Sequence, residues 1–326
     1  MRMHRRFALG AALLALVVSA CAPGDGGQSQ AQGGSQPAGE SQTADKPTLT
    51  VGSAGFYESA LMAEIYAQAL EAHGYTVERQ LEIGTREQTK PAIESGEIDL
   101  LPEYIGSALS FLGRDLTGDE AVPFTASGDP DETYAKLETA LADLDLAILD
   151  YTPAQDQNAF VVRQETADEF GLETMSDLTD VAAEFTWGLP PECETNPLCS
   201  GALEEYGIPY ADLEIEPLAA CDAPVAIALN EGAIDVAELC STQPDIERFN
   251  FVLLEDDLQT QPAENIAPVV RQEFLDSAPA DFAEILNAVS AEMTTEELTS
   301  LGVKIAVDQE DRADVARQWL ENNGLL

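Results

Sequence analysis

The reactive side chains available to this chain are carboxylates, tyrosines and hydroxyls. Sixty Asp and Glu and eight Tyr stand against two histidines, His4 and His73, so a Ser/His/Asp triad, a Cys/His dyad or a multi-histidine metal site has too few parts. His73 precedes Gly74 at the end of an apolar helical stretch and reads as a helix C-terminus closed by a left-handed glycine rather than as a catalytic base. The enzymatic route left open is a carboxylate pair, Asp156 with Glu192 or Glu264, acting as general acid and base, and no spacing supports it. The acidic run Glu255-Asp256-Asp257 and the stretch Asp115 to Asp131 lack the alternating oxygen ligands and closing Glu of an EF-hand, and read as solvated acidic loops. Neither a metal nor a cofactor is expected.

The elements that must position these groups belong to an exported chain. Arg2, Arg5 and Arg6 precede an apolar run from Phe7 to Ala20, the basic n-region and short h-region of a secretory signal, too short for a membrane span. The run ends in Val18-Ser19-Ala20-Cys21, which resembles the lipobox of bacterial lipoproteins, so residues 1–20 read as a signal peptide and Cys21 as the acylated residue. Residues 21–45 then carry the lipid and a Gly, Ser, Gln, Ala and Pro tether without one aromatic or branched aliphatic side chain. With Cys21 assigned to lipid, Cys193, Cys199, Cys221 and Cys240 remain, an even number in an oxidising compartment, which points to two disulfides. Cys193–Cys199 and Cys221–Cys240 close local loops, although three connectivities are open; a zinc cluster has neither a CxxC spacing nor a nearby histidine in its favour.

Fifteen basic residues against 60 acidic ones give a formal charge of −45, which repels nucleic acid and anionic headgroups. The only lysines are Lys46, Lys90, Lys136 and Lys304, and so acidic a surface suits a medium in which salt screens self-repulsion. With 326 residues and 45% apolar content, about two packed domains are expected.

From Lys46 the pattern alternates strand and helix, an α/β plan. Strands are expected at Leu49–Gly52, Thr76–Ile83, Ile98–Leu101, Ala147–Leu149 and Ala159–Val162, with helices over Glu58–His73, from Thr85 to near Gly96, over Asp131–Leu144, after Ser176 and over Asp311–Asn322. Trp187 and Trp319 read as core. One internal echo suggests two similar lobes: Ala92-Ile93-Glu94-Ser95-Gly96-Glu97-Ile98-Asp99-Leu100 parallels Ala228-Leu229-Asn230-Glu231-Gly232-Ala233-Ile234-Asp235-Val236. Two such lobes would turn the ends of these strands, near Tyr104 and Cys240, toward each other across a ligand cleft.

From about Thr48 to Leu325 the chain resembles the substrate-binding proteins of ABC importers for glycine betaine, choline and related osmoprotectants. The marks are Val51-Gly52-Ser53 with Phe56-Tyr57-Glu58, Gly84-Thr85, Gly96-Glu97-Ile98-Asp99 with Glu103-Tyr104-Ile105-Gly106, Ala154-Gln155-Asp156-Gln157-Asn158-Ala159, Pro190-Pro191-Glu192-Cys193, and Leu254-Glu255-Asp256-Asp257 before Pro268-Val269-Val270. The resemblance implies the type II periplasmic binding protein fold, two α/β lobes with two crossover hinge strands. Lobe 1 is expected at 46–151 plus 266–326 and lobe 2 at 152–265, with crossovers near Thr152 and Asn265. It further implies a monomer that is no enzyme, held at the extracytoplasmic face of the membrane by its lipid and delivering a small solute to permease subunits with their ATPase. A sensory lipoprotein or adhesin on the same fold is the further alternative.

A quaternary ammonium cannot donate a conventional hydrogen bond and is bound by aromatic faces or oxygen dipoles. Carried over by the resemblance, Tyr104 is a cage residue and Ser107 a hydroxyl near the ligand carboxylate, with Ser53 in the first glycine-serine loop. Asn158 stands where an aromatic is common, further cage positions fall near Cys240 and near Glu264 or Asn265, Ala54 replaces a lysine or amide, and Asn196 stands where an arginine often follows Pro-Pro-Glu. Two ligand readings follow. In the first, Phe56 and Tyr57 replace the absent aromatics while Asp156 or Glu264 supplies negative charge for a cation such as choline. In the second, Thr85, Ser107, Asn158, Asn196 and Ser241 hydrogen-bond a more polar, hydroxylated solute.

Overall fold

Helix α1 (Tyr57–Ala72) is buried at every residue from Glu58 to Leu70, as its apolar residues on all faces require. It lies between strand β1 (Thr48–Gly52) and the C-terminal helices Asp281–Glu292 and Arg312–Asn323. It ends as expected: the His73 ring Nδ1 lies 2.8 Å from the Ala69 carbonyl oxygen and Gly74 turns to φ +88°. The computed structural model describes residues 46–326; the expected signal peptide, Cys21 and the tether lie outside them. The described residues belong to one structural unit, Asp45–Leu326, and none of their helices is long and apolar enough to cross a membrane.

The remaining strands are β2 (Thr76–Gln80), β3 (Leu100–Tyr104), β4 (Leu146–Ile148), β5 (Asn158–Arg163), β6 (Thr186–Leu189), β7 (Glu214–Pro217), β8 (Val236–Cys240), β9 (Phe251–Leu253) and β10 (Ile266–Arg271). They form two five-stranded sheets of the same plan, β2-β1-β3-β10-β4 and β7-β6-β8-β5-β9. In each, three strands run parallel and the fourth, β10 or β5, runs antiparallel to both neighbours.

The internal echo is a structural repeat. Gly96 (φ +76°) and Gly232 (φ +72°) end equivalent helices, α2 (Arg86–Glu94) in the first lobe and Ala223–Asn230 in the second. Asp99 then accepts from the Thr50 N–H at 2.9 Å and from the Arg271 guanidinium at 2.8 Å. Asp235 repeats this with the Thr186 N–H at 3.0 Å and the Arg163 guanidinium at 3.0 Å. Both arginines close the antiparallel strand of their own sheet, in a second echo that the helix-glycine pattern did not disclose: Val269-Val270-Arg271-Gln272-Glu273 against Val161-Val162-Arg163-Gln164-Glu165.

The chain leaves the first sheet after β4 and returns into β10, passing between the lobes twice. The two passages run side by side: Gln155 and Asn265 form an antiparallel bridge, the Asp156 N–H donates to the Glu264 carbonyl (3.1 Å), and Asn265 Nδ2 donates to the Thr152 carbonyl (2.9 Å). A further contact joins the lobes where the helix Pro244–Phe249 packs against Thr295–Gly302, and Ser300 Oγ donates to Glu247 there at 2.8 Å. Disulfides link Cys193 to Cys199 and Cys221 to Cys240.

Some elements shift from expectation for local reasons. The third strand starts at Leu100 rather than Ile98, because the N–H groups of Glu97 and Ile98 both turn back to the Ala92 carbonyl. The second strand stops at Gln80, since Glu82 adopts φ +57° and the Ile83 N–H reaches the Ser53 carbonyl. Trp187 and Trp319 are both core.

Candidate functional site

Four pieces of chain converge where the lobes meet. Phe56, Tyr57 and Glu58 enter α1 from the loop after β1; Tyr104 ends β3 and leads into helix α3 (Ile105–Gly113); Asp156 and Glu264 sit on the two passages between the lobes. From the second lobe, Thr242 follows β8 and faces the carboxyls of both Glu58 and Asp156.

Phe56 is 44% exposed, with its ring 5.7 Å from that of Tyr104, so an aromatic wall faces open space. Tyr104 is buried and its hydroxyl donates to Glu58 Oε1 at 2.5 Å. Phe56, Thr85 and Tyr104 line a cavity of about 500 Å³ with Ala54, Arg86, Glu103 and Phe111. Asn158 and Ser241 line a second, of about 530 Å³, with Gln155, Gln157, Tyr206, Asp256 and Gln261.

The electrostatics are acidic and costly. Burial, then the nearby Asp156, pushes the Glu58 carboxyl up to about 8 against the pull of the Tyr104 and Thr242 hydroxyls. Burial likewise raises Asp156, whose Oδ1 is buried with no protein hydrogen-bond partner. Glu264 is pushed up to about 7 by burial, although Ser107 and Arg86 pull it down. Burial and the negative charge of Glu58 and Asp156 raise the phenols of Tyr57 and Tyr104, which stay protonated. Arg86 is paired with Glu103 at 2.9 Å.

Not every expected site residue reaches this cluster. The buried Ser53 hydroxyl donates to the Ala54 carbonyl (3.0 Å) and accepts from the Glu82 N–H (2.7 Å), bracing its loop. Thr85 caps α2 in a capping box with Gln88, and its hydroxyl donates to Glu87 (2.6 Å). Asn196 accepts from the Leu198 N–H at 3.0 Å and caps the turn inside the Cys193–Cys199 loop. Ser241 ties the first passage to β8, donating to the Gln155 carbonyl and accepting from the Gln157 N–H, each at 2.9 Å. Tyr57 lies at the lobe contact, its hydroxyl against Gly302 beside Pro244. Asp256 corrects the reading of its run as a solvated loop: it accepts from Tyr206, Thr260 and Gln261 and anchors the turn.

Sequence reasoning missed Glu58, Thr242 and Arg86 as parts of the site. Glu58 had a signal: a carboxylate on a helix that is apolar all round cannot avoid burial and needs a partner. Cys193, Cys199 and Glu238 also converge, but the sulfurs are bonded to each other in a disulfide; the Glu238 carboxyl, raised to about 7 by burial, lies 3.0 Å from the Cys199 Sγ.

Comparisons with known proteins identify the family and the fold. A family model described as the substrate-binding domain of ABC-type glycine betaine transport systems matches residues 47–322. The chain is 27% identical over 293 residues, 87% of this chain and 90% of the relative, to a glycine-betaine-binding protein of Pseudomonas aeruginosa. It is 29% identical over 284 residues, 85% of this chain and 90% of the relative, to the glycine betaine-binding protein YehZ of Escherichia coli. The solved structure of apo YehZ from E. coli superposes with a TM-score of 0.74 at 27% identity, covering 86% of this chain and 99% of that one. A crystal structure titled as a glycine betaine/carnitine/choline ABC transporter reaches 0.77 at 21% identity, covering 86% and 99%, and shares the fold. The fold is the two-lobed α/β fold of type II periplasmic binding proteins.

Proposed function

This chain belongs to the family of substrate-binding domains of ABC-type glycine betaine transport systems, and from that premise we propose that it captures a quaternary ammonium osmoprotectant between its lobes and presents it to a membrane permease. The observation that carries the ligand class is the junction itself, where the Phe56–Tyr104 aromatic pair adjoins the buried carboxyls of Glu58, Asp156 and Glu264. Aromatic faces and carboxyl oxygens, ionised or as dipoles, hold a cation unable to donate hydrogen bonds, each cation–π contact giving roughly 0.5–2 kcal/mol. A neutral hydroxylated ligand has less support, because Thr85, Ser107, Asn196 and Ser241 already bond within the protein.

Phe56, Tyr104 and Asp156 face the ligand in this proposal, Tyr57 braces the lobe contact beside them, Asn158 and Ser241 form the second-lobe wall, and Ser53, Thr85 and Asn196 hold loops in place. The lobes are 46–151 plus 266–326 and 152–265. Ligand draws them together about the paired passages, and the closed form docks the permease, so no bond is made or broken. The protein works outside the cytoplasm, held by a lipid on Cys21.

Calorimetric titration at low and high salt with glycine betaine, choline, carnitine, proline and a polyol panel tests this reading. High salt matters because so acidic a chain repels itself strongly when unscreened. Micromolar or tighter binding of a quaternary amine is the expected result. Silence from every amine with the protein folded, or binding of a polyol alone, would refute it.

A further inference from the structure

The start of α3 is the natural cradle for a ligand's carboxylate, since a helix N-terminus offers unpaired N–H groups and a favourable dipole. In this chain it is taken. Glu264 reaches across from the second passage, accepting from the Ser107 N–H at 3.0 Å and from the Ser107 hydroxyl at 2.7 Å, while the Ile105 N–H donates to the Asn265 carbonyl at 3.0 Å. Gly106 permits this approach: a Cβ there would lie 2.6 Å from the Ala263 carbonyl oxygen and 3.1 Å from Glu264 Oε1.

Several other donors near the cleft are also committed. Arg86 is paired with Glu103, and the side-chain amides of Gln157, Gln261 and Asn265 donate to the backbone carbonyls of Pro262, Leu198 and Thr152. The fully buried side-chain atoms without a protein partner at the passages and after β8 are acceptors: Asp156 Oδ1, Asn265 Oδ1 and Gln243 Oε1. Such a junction offers oxygen to a cation or to a hydroxyl, and little to an anion.

Resting on the quaternary ammonium reading, we propose that Glu264 is a specificity-determining residue: by filling the α3 cradle with a carboxylate of the chain itself, it makes the cleft select quaternary ammonium alcohols, which carry one positive charge, over quaternary ammonium carboxylates, which are zwitterions. A zwitterion would have to displace Glu264 from the Ser107 donors or place its carboxylate beside it, where the two repel once Glu264 is ionised, so the selectivity is read at pH 8.5.

The test is calorimetry on the purified full-length chain in detergent with choline and with glycine betaine, for the wild type, Glu264→Gln and Glu264→Ala, each checked for folding by circular dichroism. The wild type should bind choline at least tenfold more tightly than glycine betaine. Removing the charge should cut that ratio at least tenfold in Glu264→Gln, and freeing Ser107 in Glu264→Ala should raise betaine affinity outright. If only one variant folds, its ratio alone decides. A wild type that prefers glycine betaine, or a ratio equal in wild type and variants because both ligands weaken together, overturns the role of Glu264 and leaves the quaternary ammonium reading intact. Silence toward both ligands in all three proteins overturns that reading, and the inference with it.

Discussion

Replacing Glu58 by Gln should flatten the dependence of stability on pH. Glu58 is 2% exposed, and burial beside Asp156 lifts its carboxyl from the ordinary 4.5 to about 8. Between those values the native state keeps a proton that the unfolded chain releases, so the stabilisation is complete below pH 4.5 and is lost as pH rises through 8. One retained proton changes stability by about 1.4 kcal/mol per pH unit, so Glu58 sets a ceiling of roughly 3 kcal/mol lost between pH 5 and 7.5. The neighbours that share the field are Asp156, Tyr57, Tyr104 and, through Asp156, Glu264; their coupling lowers the realised value toward about 1–2 kcal/mol. Gln keeps an acceptor for the Tyr104 hydroxyl and removes the titration. Urea unfolding of both proteins at pH 5, 6, 7 and 8 in 1 M salt, where surface repulsion is screened, isolates the difference. Parallel curves, or a wild type that gains stability toward pH 8 relative to Glu58→Gln, would refute the reasoning.

Other consequences are as direct. Tyr104→Ala removes an aromatic face and the partner of Glu58, and should lower affinity for a quaternary amine more than tenfold, about 1.4 kcal/mol, with the circular dichroism spectrum retained; unchanged affinity in calorimetry would take Tyr104 out of the site. Gly106→Ala drives a methyl to 2.6 Å from the Ala263 carbonyl oxygen and should cost about 1–3 kcal/mol in denaturant unfolding, with a midpoint equal to wild type telling against the close approach. Arg163→Met takes from Asp235 its guanidinium partner, leaving the Thr186 N–H, and strips the carbonyls of Leu229 and Ile234 of their guanidinium donor; it should destabilise by about 2–3 kcal/mol, with Arg271→Met giving a loss of similar size, and a loss under about 0.5 kcal/mol in either would mean that the clamp is not structural.

The strands and helices were legible wherever apolar spacing is strong. The apolar spacing of Leu61, Ile65, Ala69 and Leu70 marked α1 as a helix but not its burial on every side, Glu58, Glu64 and Gln68 included, while the glycines after α2 and after Ala223–Asn230 read as stops and both adopt positive φ. Element ends were less legible, because backbone groups such as the N–H of Ile98 chose a turn partner over the ladder. At the site, residue type did not reveal commitment: Ser53, Thr85 and Asn196 are the same side chains whether they face a ligand or cap a loop, and their local backbone partners won. Glu264 was legible as a negative charge near the ligand but not as the occupant of the α3 start, because Ser107 meets it only through the return passage of the chain, far away in sequence.

The placement of β10 between β3 and β4 bears on how the protein reaches its native state. The second lobe is one continuous stretch and owns all five of its strands, so it can complete its sheet unaided. The first lobe cannot: Ile266 pairs with Tyr104, and Val269 with Ile148, only after the whole second lobe has been made. Until then β3 and β4 are unpaired edges, open to pairing with another chain. Folding should therefore proceed from the inserted lobe outward, with the insertion of β10 as the late, high-contact-order step and the stage most exposed to aggregation.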